Sequence, residues 1–183
     1  MQIDQEQFVL LCGGDRLTPG QRTGLIQVVN FIANDAEITD IRWAAYMLAT
    51  IDRECGHEWH PIEEYSKGKG EPYGKVVNGH TYYGRGYVQL TWDYNYKAMS
   101  NPTGRDLLAH PEAVLEPEIA YRIMSYGMRN GSFTGAKLGK YIKGTKCDYV
   151  NARRIINGTD QAKAIARSAV WFEAVIKKCV KEN

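Results

Sequence analysis

The sequence has no Cys-x-x-Cys pair, no apolar run approaching the ~18 residues of a membrane-spanning helix and no surplus of either charge. Its four cysteines, Cys12, Cys55, Cys147 and Cys179, are scattered along 183 residues, which reads as reduced thiols, mostly core, and neither a zinc site nor a disulfide framework. The net charge of +2 is too small for a phosphate-tracking surface, so nucleic acid is excluded as a partner. The start, Met1-Gln2-Ile3-Asp4, lacks the basic and apolar segments of a secretory signal peptide, and the reduced cysteines agree with synthesis in a cytoplasm. Six prolines and 18 glycines imply many turns between short elements, and 44% apolar residues exclude disorder. The expectation is one domain over residues 1–183, mainly α, with one small β-hairpin.

What is present is helical pattern around one unusual stretch. Residues 5–12 form a short helix candidate ended by Gly13-Gly14. Thr18 as N-cap, Pro19 at the first position and Gln21 three residues after the cap predict a helix over 19–34. From Thr39 or Asp40, Ile41, Ala44, Leu48, Ile51 and Cys55 recur at helical spacing as a buried stripe, stopped by Gly56. Residues 57–74 lose periodicity and read as loop. Val76 to Tyr82 reads as two short strands around Asn78-Gly79. Val88 to Thr91 fits either extended chain or the opening of a helix through Tyr94 to Met99. Pro102, Gly104, Pro111 and Pro117 segment residues 100–118. A helix follows from Glu118 to Asn130, with Ile119, Ile123 and Tyr126 on one face. A short helix runs around Tyr149 to Ile156. The last begins near Thr159 or Asp160 and buries Ile165, Ala169, Phe172, Ile176 and Val180, with Lys177, Lys178 and Lys181 suiting the negative end of its dipole.

The unusual stretch is Trp43 to Tyr96. Nine of the 20 aromatics lie in residues 59–96, mixed with carboxylates, amides and hydroxyls, as stacking and hydrogen bonding on sugar rings require. Glycosidic cleavage generally uses two carboxyl groups, an acid for the leaving oxygen and a carboxylate that attacks or activates water. Glu54 falls in the last turn of its helix, beside the stripe on a face shared with Trp43, Met47 and Thr50. There the helix dipole disfavours a carboxylate, which suits a proton donor, although most glutamates at helix ends are simply solvated. The second carboxylate is open among Glu58, Glu63, Glu64 and Glu71. His57-Glu58-Trp59-His60 is not the His-Glu-x-x-His of zinc proteases, because its histidines are three apart and Pro61 breaks a helix, so no metal is expected. Gly84-Arg85-Gly86 lacks the third glycine of a dinucleotide loop, and no cofactor is implied.

Tyr83-Gly84-Arg85-Gly86-Tyr87-Val88-Gln89-Leu90-Thr91-Trp92-Asp93-Tyr94-Asn95-Tyr96 resembles the signature of glycoside hydrolase family 19, which holds plant and bacterial chitinases and many bacteriophage endolysins. Arg53-Glu54 resembles that family's helix-terminal acid, and Ile155-Ile156-Asn157-Gly158 the segment before its final helix. The resemblance implies a lysozyme-like α+β fold and acid/base catalysis with inversion. Carried over by residue, Glu54 is the general acid, and Glu63, within Ile62-Glu63-Glu64, the general base, with Glu64 its competitor. Thr91 holds the attacking water, Gln89, Tyr94 and Asn95 bind sugar, and Asn157 and Arg167 support the cleft. Arg85 either braces the loop or touches substrate. Inversion implies ~6.5–9.5 Å between the two carboxyl groups.

Three departures favour an endolysin-like member: Cys55-Gly56-His57 after the acid, a short loop before the hairpin, and the absence of the plant disulfides and chitin-binding module. The expected function is hydrolysis of β-1,4 bonds between amino sugars of bacterial peptidoglycan, by a monomer held in the host bacterial cytoplasm until a separate membrane-permeabilising partner releases it to the cell wall. The alternatives are a bacterial chitinase acting on chitin oligomers and a catalytically inactive cell-wall-binding protein of the same fold.

Overall fold

The computed structural model of the protein describes residues 1–180; Lys181, one of the cations expected at the end of the last helix, lies outside them. The helices are α1 (Gln5–Leu11), α2 (Pro19–Asn34), α3 (Ile41–Glu54), α4 (Asp93–Thr103), α5 (Pro117–Asn130), α6 (Leu138–Tyr141), α7 (Tyr149–Ala152) and α8 (Ala162–Cys179). Strands β1 (Ile62–Glu63) and β2 (Arg85–Gly86) form one antiparallel pair, β3 (Ile142–Lys143) and β4 (Lys146–Cys147) another. The chain divides into two compact units, Met1–Trp59 with the chain from Gly127 onward, and His60–Tyr126.

In the first unit, α2 begins as its sequence dictates. Thr18 Oγ1 accepts from Gln21 N, Gln21 Oε1 accepts from Thr18 N, and Pro19 opens the helix. Helix α3 differs from the stripe expected of it, because residues 44–51 are buried without interruption. Ala44, Ala45 and Ala49 are small enough to let neighbouring elements close on every side, and α8 packs along it. Its end is a Schellman turn: His57 N donates to Asp52 O at 2.9 Å, Gly56 N to Arg53 O, and Gly56 takes φ +58°. Phe172 of α8 stacks parallel on Phe8 of α1, with ring centroids 6.4 Å apart, and takes the edge of Trp59 at 5.7 Å. Helix α8 starts at Ala162 and not at Thr159 or Asp160, because the Asp160 carbonyl accepts from Arg153 Nε at 3.0 Å and is held outside the helix. Of the expected α8 stripe, Ile165, Ala169, Phe172 and Ile176 are buried; Val180 lies past the helix and bridges to Ile3.

In the second unit, the strands are not where the Asn-Gly turn suggested. Asn78 and Gly79 do take positive φ, +51° and +81°, but the turn closes with one bridge between Val77 and His80. The lasting pair joins Ile62 to Gly86 and Glu63 to Arg85, so part of the expected 57–74 loop is strand. Residues 88–91 fold back instead of opening a helix, with Leu90 bridged to Arg85. Helix α4 runs through Pro102, which has no N–H to offer the carbonyl four residues back, to Thr103, and Gly104, at φ +68°, ends it. Tyr126, expected on the buried face of α5, is 38% exposed, while Ile119 and Ile123 are buried.

Candidate active site

In the first unit, Glu54 ends a helix face whose preceding members, Met47 and Thr50, are fully buried. The carboxylate is paired with Arg153 Nη1. The arginine is buried at the start of the turn after α7, and its Nε reaches the Asp160 carbonyl, so one guanidinium ties the glutamate to the turn that carries Asn157. Asn157 is itself exposed and uses Oδ1 to accept from Gly158 N at 2.8 Å. Arg167 is exposed on α8 and lines a shallow cavity with Val150, Thr159, Gln161 and Lys163. Sequence reading missed Arg153. The available signal was the Arg153-Arg154 pair abutting Ile155-Ile156-Asn157-Gly158, but charge alone does not say which of two neighbouring arginines turns inward.

In the second unit, Glu63 stands on β1 opposite Arg85. Its Oε2 accepts from the Tyr83 hydroxyl at 2.8 Å and its Oε1 meets Lys67 Nζ at 2.8 Å. These donors, Lys67 first and Tyr83 second, hold its carboxyl below the usual carboxylate range. Glu64 is also held low. Burial opposes this, but hydrogen bonds from Ser66, Gly84 N and Tyr73 outweigh it. Those bonds are structural: Glu64 accepts from Gly84 N at 3.3 Å and Tyr73 OH at 3.2 Å and so closes the loop over residues 64–84. Geometry thus separates two adjacent glutamates that sequence left competing, one serving the loop and one held by a tyrosine and an exposed lysine.

Residues 83–96 form a hydrogen-bonded floor. Gln89 Nε2 donates to the Ile62 carbonyl at 3.1 Å, which sets this side chain against the strand that carries Glu63. A Cβ at Gly84 would come within 2.8 Å of Gln89 Oε1, so any larger residue there would push this side chain aside. Thr91 Oγ1 donates to Gln89 O at 2.9 Å, and Asn95 Nδ2 to Thr91 O at 2.8 Å. Arg85 is buried; its guanidinium donates to Tyr96 OH at 2.9 Å and to Thr81 O, and stacks 3.6 Å over the Tyr83 ring. It therefore braces the loop and orients the tyrosine that binds Glu63. Tyr94 is 59% exposed and stacks on Trp92 at 5.9 Å, giving an open aromatic ledge. Among the described residues, no group of three or more His, Cys, Asp and Glu could hold a metal ion.

Two carboxylates, together with amides, hydroxyls and aromatic faces, are the residue types that glycoside hydrolysis uses. Solved structures with the same fold include chitinase C of Streptomyces griseus, with a TM-score of 0.61 and 22% identity over 99% of this chain and 79% of that one. A family 19, class IV chitinase of Zea mays gives a TM-score of 0.58 and 20% identity over 93% of this chain and 90% of that one. The chitinase class I model of glycoside hydrolase family 19 matches residues 29–128, more than half of the chain, and the chain belongs to that family. Endochitinase At2g43590 of Arabidopsis thaliana is 35% identical over 119 residues, 61% of this chain and 44% of that protein. Basic endochitinase CHB4 of Brassica napus is 35% identical over 109 residues, 55% of this chain and 40% of that protein. The chain thus spans less than half the length of these curated relatives.

Proposed function

We propose that the protein hydrolyses β-1,4 bonds between N-acetylated amino sugars of bacterial peptidoglycan, with Glu54 as general acid and Glu63 as general base. The observation that carries the reading is Glu63, kept ionised by Lys67 and Tyr83 on a strand that Gln89 also grips. In the reaction, Glu54 gives its proton to the glycosidic oxygen as the bond to C1 breaks. Water attacks C1 from the opposite face and loses a proton to Glu63, leaving a reducing end of inverted configuration. Arg153 fixes the acid, while Thr91 and Asn95 hold the water and sugar side of the base. Tyr94 stacks on a sugar face, and Asn157 and Arg167 support the polymer. The protein acts as a monomer on the wall once a membrane-permeabilising partner admits it.

Chitin is the second reading, favoured by the endochitinase names of the relatives. Digestion of purified peptidoglycan and of chitin oligomers, followed by mass analysis of the fragments, tests both. Reducing N-acetylmuramic ends support a muramidase, reducing N-acetylglucosamine ends from peptidoglycan a glucosaminidase, and soluble chitin oligomers a chitinase. Glu54→Gln and Glu63→Gln should each lower turnover by about 10²-fold or more. Inert wild type on both polymers, or two fully active variants, would end the catalytic reading.

A further inference from the structure

The first unit carries a cavity that the catalytic assignment does not use. It has a volume of about 250 Å³, and its lining includes Cys12, Gln21, Asp52, His57, Trp171 and Phe172. Asp52 and Glu54 are two residues apart on α3, hence about 200° apart around the helix, so the cavity opens on the side of α3 away from Glu54. Its wall is held in a costly conformation. His57 and Trp59 take φ of +68° and +63°, which side chains other than glycine's rarely adopt. Trp59 presses its carbonyl so closely on α2 that a Cβ at Gly24 would come within 2.5 Å of it. Trp171, by contrast, is 45% exposed, its ring fixed edge-on against Phe172 with centroids 4.8 Å apart.

The lining selects a class of ligand. Asp52 Oδ1 meets His57 Nδ1 at 2.7 Å, which leaves Oδ2 as an acceptor, and the imidazole is 66% exposed. Gln21 has Oε1 engaged by Thr18 and keeps Nε2 as a donor. An anion would meet the Asp52 carboxylate, and a cation would compete with His57 for it. A purely apolar ligand would strand the carboxylate and amide without partners. A neutral polyol with one apolar C–H face satisfies all of them, lying on the Trp171 ring with its hydroxyls toward Asp52, His57 and Gln21.

We propose that this cavity is a second, non-catalytic saccharide site, which takes a 2-acetamido sugar of the β-1,4 polymer and keeps the protein on its insoluble substrate between cleavages. The choice of sugar rests on the function proposed above; the existence of the site does not. Co-sedimentation with insoluble chitin and with purified peptidoglycan sacculi tests it in a Glu54→Gln background, where no hydrolysis clouds the result. Trp171→Ala should weaken retention about three- to tenfold, the loss expected for one aromatic stacking contact, and Trp171→Tyr should largely restore it. In the otherwise native chain, Trp171→Ala should leave turnover of a short soluble oligomer unchanged and slow release from the insoluble polymer. Retention on sacculi alone or on chitin alone identifies which polymer supplies the sugar. Equal retention of Trp171→Ala and its parent, with matching circular dichroism, would overturn the site, as would a parent that binds neither polymer. Hydrolytic inertness of the wild type would instead count against the catalytic reading alone.

Discussion

Tyr83 shows how a single side chain sets the chemistry of its neighbour. Its hydroxyl donates to Glu63 while its ring lies under the Arg85 guanidinium, so the donor is held in place by a buried cation. Because the folded Glu63 titrates below the usual range, its contribution to stability is present above the unfolded carboxyl's pKa and fades as pH falls through the lower folded value. The base must also be ionised to act, so the acidic limb of kcat/KM should lie low in the native protein. Tyr83→Phe removes one donor and should move that limb to higher pH, a shift readable in a pH–rate profile. Arg153 is the matching case on the acid side. Arg153→Ala would leave Glu54 without its buried partner and the Asp160 carbonyl without its donor, and should cost about 3 kcal/mol in a urea titration. An Arg153→Lys variant should not recover it, because Arg153 serves the two acceptors from two separate nitrogens of a rigid planar fork, which a single ammonium nitrogen does not reproduce.

At the scale of elements, helix ends place the chemistry. The capping box of α2 and the Schellman turn of α3 are local devices, each legible in a few residues. Thr18→Ala should lower stability by about 1 kcal/mol, as loss of a single N-cap does. Gly56→Ala forces a side chain into the left-handed region one residue after the Glu54 turn and should cost about 1–2 kcal/mol. It should also reduce turnover more than Thr18→Ala does, since it disturbs the end of the helix that carries the acid. Paired melting curves and initial rates measure both effects. The strands were not legible in the same way. A two-residue strand such as Ile62–Glu63 has no period to detect, and its partner Arg85–Gly86 is 23 positions away along the chain. The Asn-Gly signal found a turn correctly, but flanking Val76 and Val77 are exposed, so no buried face drives that turn to extend into a hairpin.

For the whole molecule, the scattered cysteines proved to be free thiols with distinct environments. Burial pushes the Cys12 and Cys55 thiols up to about 12, and Cys179 is also buried and raised, whereas Cys147 is exposed. Cys147 is exposed, yet burial of its sulfur raises that thiol too, so a thiol reagent should label the native protein once, at Cys147, faster as the pH climbs, and label the others only on unfolding, as peptide mass mapping would show. The melting temperature should be the same with and without reductant.

The sequence by itself determined the features whose causes are local. The caps of α2 and the stop of α3, the mainly helical architecture, and family 19 membership through the run from Tyr83 to Tyr96 are all written in contiguous residues. Local rules also put Glu54 at a helix end, which follows from spacing and one glycine. Only the tertiary structure decided what surrounds each carboxyl group. Arg153 reaches Glu54 across 99 positions of chain, Tyr83 reaches Glu63 across 20, and Glu64 is spent on the loop that its neighbour leaves free. Those pairings depend on which side chains packing turns inward, and packing is a property of the folded chain and not of any segment of it.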